Sequence, residues 1–213
     1  MMPTLTATAL PDFPAKAFDK ADRNSDTIFY AEPRFVTHID DSAIEVVTRL
    51  YRAHIRPGSD VLDLMGSWVS HLPDDVAYAS VVGHGMNAAE LAENPVYTRH
   101  FVQNLNENSA LPLEDGSFDA VICCVSIQYL QDPVAVLVEV HRILRPGGVV
   151  IISFSNRCFP TKAVAIWQSI RQGQHQELVE LYLDRAGFDD LESIVGVPPG
   201  LGVDPLWAVV GRR

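Results

Sequence analysis

Two apolar runs constrain this chain most. Phe118 to Val125 (FDAVICCV) and Val149 to Phe154 (VVIISF) are almost unbroken in apolar character, the pattern of strands buried on both faces. Between them Pro133 to Leu144 (PVAVLVEVHRIL) reads as a helix. Pro133 sits in its first turn and Arg145-Pro146-Gly147-Gly148 stops it. Strand, crossover helix and strand together form the unit of a parallel sheet with helices on its faces.

The rest of the chain extends that unit. Asp40 to His54 is a helix with Ile44, Val47, Leu50, Tyr51 and His54 on one stripe. Asp40, Asp41 or Ser42 caps it and Arg56-Pro57-Gly58 ends it. Strands are expected at Asp60–Leu64, Tyr78–Val82 and His100–Asn104, with a short helix at Asn87–Glu93 after the second. Helical stretches follow at Thr161–Ile170 and Gln174–Ala186, with Gly187 as a C-cap. The last strands, Leu191–Val197 and Leu206–Val210, are joined by a Pro/Gly loop only, which places the final strand antiparallel. Residues 1–25, with Pro3, Pro11 and Pro14, read as a loose N-terminal arm. Residues 26–213 read as a single α/β domain, 26–56 being a lid and its helix.

Charge and cysteine content narrow the function. Sixteen Lys and Arg stand against 27 Asp and Glu, a net charge of −11, with no basic run. Such a chain repels phosphate backbones, so nucleic acid is not expected as a partner. Cys123, Cys124 and Cys158 are odd in number and lack metal-ligand spacing. They read as reduced thiols of a cytoplasmic protein with no metal site. No secretory signal and no membrane span is expected.

In an open parallel sheet, ligands gather beyond the carboxyl ends of the strands. Those positions here are Asp63-Leu64-Met65-Gly66-Ser67-Trp68, Gly83-His84-Gly85-Met86-Asn87, Asn104-Leu105-Asn106, Ser126-Ile127-Gln128-Tyr129 and Ser155-Asn156-Arg157-Cys158. They are rich in amides, hydroxyls and backbone donors. They hold no paired carboxylates and no obvious nucleophile–base pair, which suits a polar cofactor carrying its own reactive group. A nicotinamide dehydrogenase of the short-chain type is excluded, since no Tyr is followed four places on by Lys.

Asp60–Leu64 (DVLDL), Leu111–Val121 (LPLEDGSFDAV) and Val140–Ile152 (VHRILRPGGVVII) together resemble the class I S-adenosylmethionine-dependent methyltransferases of the type 11 group. The resemblance runs from about Val61 to the final strand. It implies a Rossmann-like, seven-stranded, mostly parallel sheet with an antiparallel last strand and helices on both faces. It also implies S-adenosyl-L-methionine as cofactor and in-line methyl transfer to a small-molecule acceptor. The alternative is a non-catalytic cofactor-binding or regulatory protein on the same fold. The family's first motif reads D-x-G-x-G-x-G; here it is Asp63-Leu64-Met65-Gly66-Ser67-Trp68-Val69, with Gly66 one place off. Gly85 stands where relatives carry the acidic ribose ligand, with Met86 beside it and Asn87 as a neutral substitute. Asn104 stands where an acidic residue meets the adenine amino group, with Leu105 against the ring and Asn106 as a further contact. Cys124 and Val125 are expected to line the pocket from the fourth strand.

Tyr30 to His38 (YAEPRFVTH) is read as the lid, with Tyr30 and Arg34 on the methionine carboxylate and His38 as a base for the acceptor. Gln128 is the second catalytic candidate. Trp68, Tyr129, Asn156 and Arg157 are the candidate acceptor wall, Arg157 favouring a carboxylate or phosphate. His71 and His84 lie near the rim with packing as the simpler role. A monomer or homodimer is expected.

Overall fold

The computed structural model describes residues 10, 12–14, 16–171, 173–200 and 202–213. Its elements are α1 (Asp26–Phe29), α2 (Asp41–His54), β1 (Asp60–Asp63), β2 (Ser80–Gly85), α3 (Ala88–Ala92), β3 (Arg99–Val102), β4 (Phe118–Cys124), α4 (Pro133–Ile143), β5 (Leu144–Phe154), α5 (Ala165–Ser169), α6 (Gln174–Ala186), β6 (Asp189–Val197) and β7 (Leu206–Arg212). The seven strands form one sheet in the order β3-β2-β1-β4-β5-β7-β6. The first five run parallel, and β7 is antiparallel to both β5 and β6. This is the expected Rossmann-like architecture.

The period-two alternation of the buried strands explains the layers. Val61, Ala120, Ile122, Val149 and Ile151 point to one face and pack under Ala43, Val47 and Tyr51 of α2. Leu62, Val121, Cys123, Val150 and Ile152 point to the other, under Val136, Leu137 and Val140 of α4 and Val179 and Leu183 of α6. Asp40 caps α2 by accepting the Ala43 N–H, and Asp132 caps α4 by accepting that of Ala135. Strand order reverses between β1 and β4, which sets the crevice at their carboxyl ends.

Three expectations are corrected. Strand β2 lies at 80–85 instead of 78–82, so Gly83 and Gly85 are strand residues. They are needed there because a Cβ at 83 would collide with the Tyr97 ring and one at 85 with the Gly66 carbonyl. The helix expected from Thr161 shrinks to α5, because Val164 is extended and bridges Lys20. Residues 16–25 are not a loose arm: Ala17 and Lys20 are buried, and Asp22, Asp19 and Ala17 pair their backbones with Thr161, Ala165 and Ile166. Apolar packing of Ala17 and Phe18 and a set of ion pairs hold the segment. Lys20 and Lys162 both pair with Asp26, at 2.6 and 3.2 Å, and Lys162 also pairs with Asp22 at 3.0 Å. The first nine residues of the expected arm lie outside the described residues.

Candidate functional site

A cavity of about 310 Å³ opens at the carboxyl ends of β1, β2 and β4, within the size range of small-ligand sites. Its floor is Asp63, the last residue of β1, which is 2 % exposed. The carboxylate accepts the Tyr97 hydroxyl at 2.8 Å and has no cationic partner among the described residues. Burial, only partly offset by neighbouring hydroxyls, pushes its pKa up to about 7. A buried carboxylate poised to ionise beside a cavity is chemically suited to a cationic ligand group.

The loop after Asp63 departs from the glycine-rich pattern, and the structure supplies the reason it still turns. Met65 takes a left-handed φ of 59°, a conformation ordinarily left to glycine. His84 of β2 holds it there. Its Nδ1 accepts the Met65 N–H at 3.1 Å, which makes its Nε2 the protonated nitrogen, donating to the Gln103 carbonyl at 3.1 Å. Burial lowers the His84 pKa to about 4, so the ring is neutral at ordinary pH. Gly66 donates its N–H to the His84 carbonyl, and a Cβ on it would press into the Tyr97 hydroxyl and the Asp63 carboxyl. Val125 at φ 44° and His71 at φ 57° are strained cavity-lining residues of the same kind. For β-branched Val125 this is a genuine outlier, and such strain gathers at binding sites.

The lid reaches this rim through Glu90. Its carboxylate accepts the Arg34 N–H at 2.7 Å and the Ser67 hydroxyl at 2.5 Å. Asn106 braces the lid from the other side, donating to Asp26 and to the Tyr129 carbonyl and accepting from Gln131. Asp26 lines the cavity. Burial works to raise its pKa, but Lys20, Asn106 and Lys162 outweigh it and keep it low.

Among the residues singled out in the sequence, the cavity is lined by Tyr30, His38, Asp63, Met65, Gly66, Ser67, Gly85, Met86, Asn104, Leu105, Asn106, Cys124, Val125, Tyr129 and Arg157. Six others do not line it. Leu64 is core. Asn87 spends its amide as the α3 cap, accepting from Ala89 and Glu90 and donating to the Tyr30 and Ala31 carbonyls. Gln128 is fully buried and donates to the Val125 carbonyl. Trp68 donates to the Val36 carbonyl, and Asn156 is exposed, accepting the Ser155 hydroxyl. Arg34 donates to the Phe29 carbonyl, with its Nη1 buried without a partner among the described residues. The site also contains residues that sequence reasoning did not commit to: Asp26, His84, Gln103, Ser126 and Phe159. Ser126 and His84 belong to the strand-end positions named from the sequence, without a contact assigned to them there. Phe159 and Asp26 arrive through tertiary contacts with no local signal.

Comparison with known proteins places this geometry. Residues 66–152 match the family described as "Methyltransferase domain". A probable S-adenosylmethionine-dependent methyltransferase of Mycolicibacterium smegmatis is 33% identical over 162 residues, covering 73% of this chain and 62% of that protein. The chain thus spans less than two thirds of that relative's length. The phosphoethanolamine N-methyltransferase 2 of Haemonchus contortus, solved with S-adenosyl-L-methionine, superposes with a TM-score of 0.58 at 16% identity, over 79% of this chain and 52% of that one. The [4+2]-cyclase SpnF superposes with a TM-score of 0.60 at 14% identity, over 88% and 91%. At such identities the superpositions establish the fold.

Proposed function

As a member of the class I S-adenosylmethionine-dependent methyltransferases, this chain, we propose, transfers a methyl group from S-adenosyl-L-methionine to a small-molecule acceptor. The observation that carries the reading is Asp63, a buried carboxylate at the floor of a strand-tip cavity with no cationic partner among the described residues. Its ionised form holds the ammonium of the methionine moiety. The backbone of Met65, Gly66 and Ser67, fixed by His84, turns around the same moiety. No acidic residue follows β2, so the ribose is met by the Gly85–Met86 backbone. Leu105 packs on the adenine, with Asn104 at its edge. Tyr30 closes the lid, and Cys124 and Val125 supply the wall at the β4 tip.

When bound, the cofactor supplies a methyl carbon already activated for displacement, so the chain contributes orientation and exclusion of water. His38 is the group that accepts the acceptor's proton. Its ring lines the cavity, and burial, opposed by Glu90 and aided by Arg34, lowers its pKa and leaves it unprotonated at neutral pH. The acidic surface and the size of the cavity suit a small acceptor rather than nucleic acid. No helix among the described residues is long and apolar enough to cross a membrane, and the three free thiols suit a cytoplasmic setting. The SpnF superposition shows why fold alone does not fix chemistry. The test is calorimetric titration with S-adenosylhomocysteine, then detection of that product in turnover. Saturable binding at micromolar ligand is expected; no heat at millimolar ligand would overturn the reading.

A further inference from the structure

The lid side of the cavity is walled by aromatic rings centred on Phe159. Its centroid lies 5.4 Å from that of His38 and 6.0 Å from Tyr129, which line the cavity with it, and 5.2 Å from Phe29, which does not. Behind this wall two cations already occupy the π-systems. The Arg34 guanidinium lies 4.7 Å from the Phe29 centroid, 5.6 Å from Phe159 and 5.8 Å from Tyr30. Lys162 Nζ lies 5.4 Å from Phe29. An aromatic face draws cations through its quadrupole, but the positive charges of Arg34 and Lys162 beside these rings oppose a second cation. The wall therefore disfavours an ammonium acceptor and favours a flat, neutral or anionic one.

Two polar groups complete the wall. His38 has no hydrogen-bond partner among the described residues and lines the cavity. Arg157 also lines it, with Nε donating to Asp204 at 2.6 Å. Its two terminal nitrogens make no protein hydrogen bond among the described residues, so a guanidinium edge remains for an anion. Asp26, a carboxylate of the same lining, is charge-balanced by Lys20 and Lys162.

Resting on the methyl-transfer reading above, we propose that the acceptor is a hydroxylated aromatic ring bearing a carboxylate. Its ring lies against Phe159 and Tyr129, its hydroxyl meets His38, and its carboxylate meets Arg157. In the step the acceptor O–H bond breaks and the proton passes to the free ring nitrogen of His38. The oxygen bonds to the methyl carbon, and the carbon–sulfur bond breaks with its electron pair left on sulfur. The sulfonium charge is thereby exchanged for the imidazolium charge.

The experiment measures S-adenosylhomocysteine release with 3,4-dihydroxybenzoate, catechol, 4-nitrocatechol, benzoate and ethanolamine, after calorimetry has established binding of S-adenosylhomocysteine. The two hydroxybenzene classes turn over, while benzoate and ethanolamine do not. Arg157→Met raises KM for 3,4-dihydroxybenzoate about tenfold and leaves that for catechol unchanged. His38→Gln lowers kcat with catechol about a hundredfold, in the range of lost general-base catalysis. 4-Nitrocatechol, which ionises unaided, recovers most of that loss, a rescue that a merely structural role for His38 would not produce. If S-adenosylhomocysteine binds but ethanolamine is consumed and the phenols are not, or no member of the panel is methylated, the acceptor assignment is overturned and cofactor binding stands. If S-adenosylhomocysteine itself fails to bind, the methyltransferase reading falls first.

Discussion

The two walls of the cavity are built on different physics. The strand-tip wall is made of neighbours in the sheet: Asp63, the Met65–Gly66 turn and His84, linked by backbone hydrogen bonds and a neutral imidazole. The lid wall is made of segments far apart in sequence, residues 16–38 and 157–164. They are joined by the Lys20–Asp26–Lys162 ion pairs and a cluster of rings. It also leaves Ile28, Phe35 and Val36 exposed, at 70 %, 49 % and 54 %. The strand-tip wall is held by the sheet's own backbone pairing. The lid wall depends on charges whose pairing must be satisfied all at once, so removal of one member should release the segment while the sheet stands.

Lys162→Met is the largest blow to that contrast. Lys162 is fully buried, and its Nζ bonds Asp22, Asp26 and the Asn24 carbonyl. Removing one partner of a buried ion pair costs about 3–5 kcal/mol because the other charge is stranded. Hydrogen exchange should show amides of residues 17–30 losing protection by a comparable amount while those of β4 and β5 keep theirs. Equal loss in the sheet would show that the two walls are one cooperative unit.

Asp63→Ala strikes the other wall. Affinity for S-adenosylhomocysteine should fall at least about a hundredfold, about 2.7 kcal/mol, with the circular dichroism spectrum and lid protection unchanged. Unchanged affinity would remove Asp63 from the site. A smaller effect is expected from His84→Ala, which leaves the Met65 N–H and the Gln103 carbonyl without a partner. A cost of about 1–3 kcal/mol in stability follows, with about a tenfold weaker affinity for S-adenosylhomocysteine. His84→Gln should recover part of both, since its amide can donate and accept. No change in affinity would mean that Met65 holds its turn unaided.

The contrast also explains what could be read in the sequence. The sheet was legible because its signals are local: FDAVICCV and VVIISF announce buried strands, and the ends of strands point to the crevice. Thus Asp63, Met65, Gly66 and Gly85 were found from chain order alone. Asn87 and Gln128 stand outside the cavity lining for one reason. An amide at a helix start or beneath a strand end satisfies backbone groups first, and that competition is invisible without the fold. Phe159 and Asp26 carried no signal, since their place depends on Lys162 drawing two distant segments together. His84 was seen near the rim, but its tautomer-specific bridge required the register of β2 against β1.

The finest test of the contrast is a count of protons. Burial disfavours the Asp63 anion and raises its pKa in the free protein to about 7, with no cation among the described residues to offset it. A bound ammonium favours the anion and drives the pKa down. Binding therefore releases whatever proton Asp63 carries. With a free pKa of about 7, that is about 0.9 proton at pH 6, about 0.5 at pH 7 and about 0.1 at pH 8. Affinity for S-adenosylhomocysteine accordingly rises from pH 6 to 7 and levels off above it. Titrations in two buffers of different ionisation enthalpy read the release directly. His84 takes no part, since its pKa of about 4 keeps it neutral throughout this window. His38, whose pKa is lowered from 6.5, belongs to the lid and is removed in a His38→Gln background. In that background Asp63→Asn should abolish the release. If the release survives Asp63→Asn in that background, another lining group such as His71 supplies the proton, and the electrostatic role given to Asp63 is wrong.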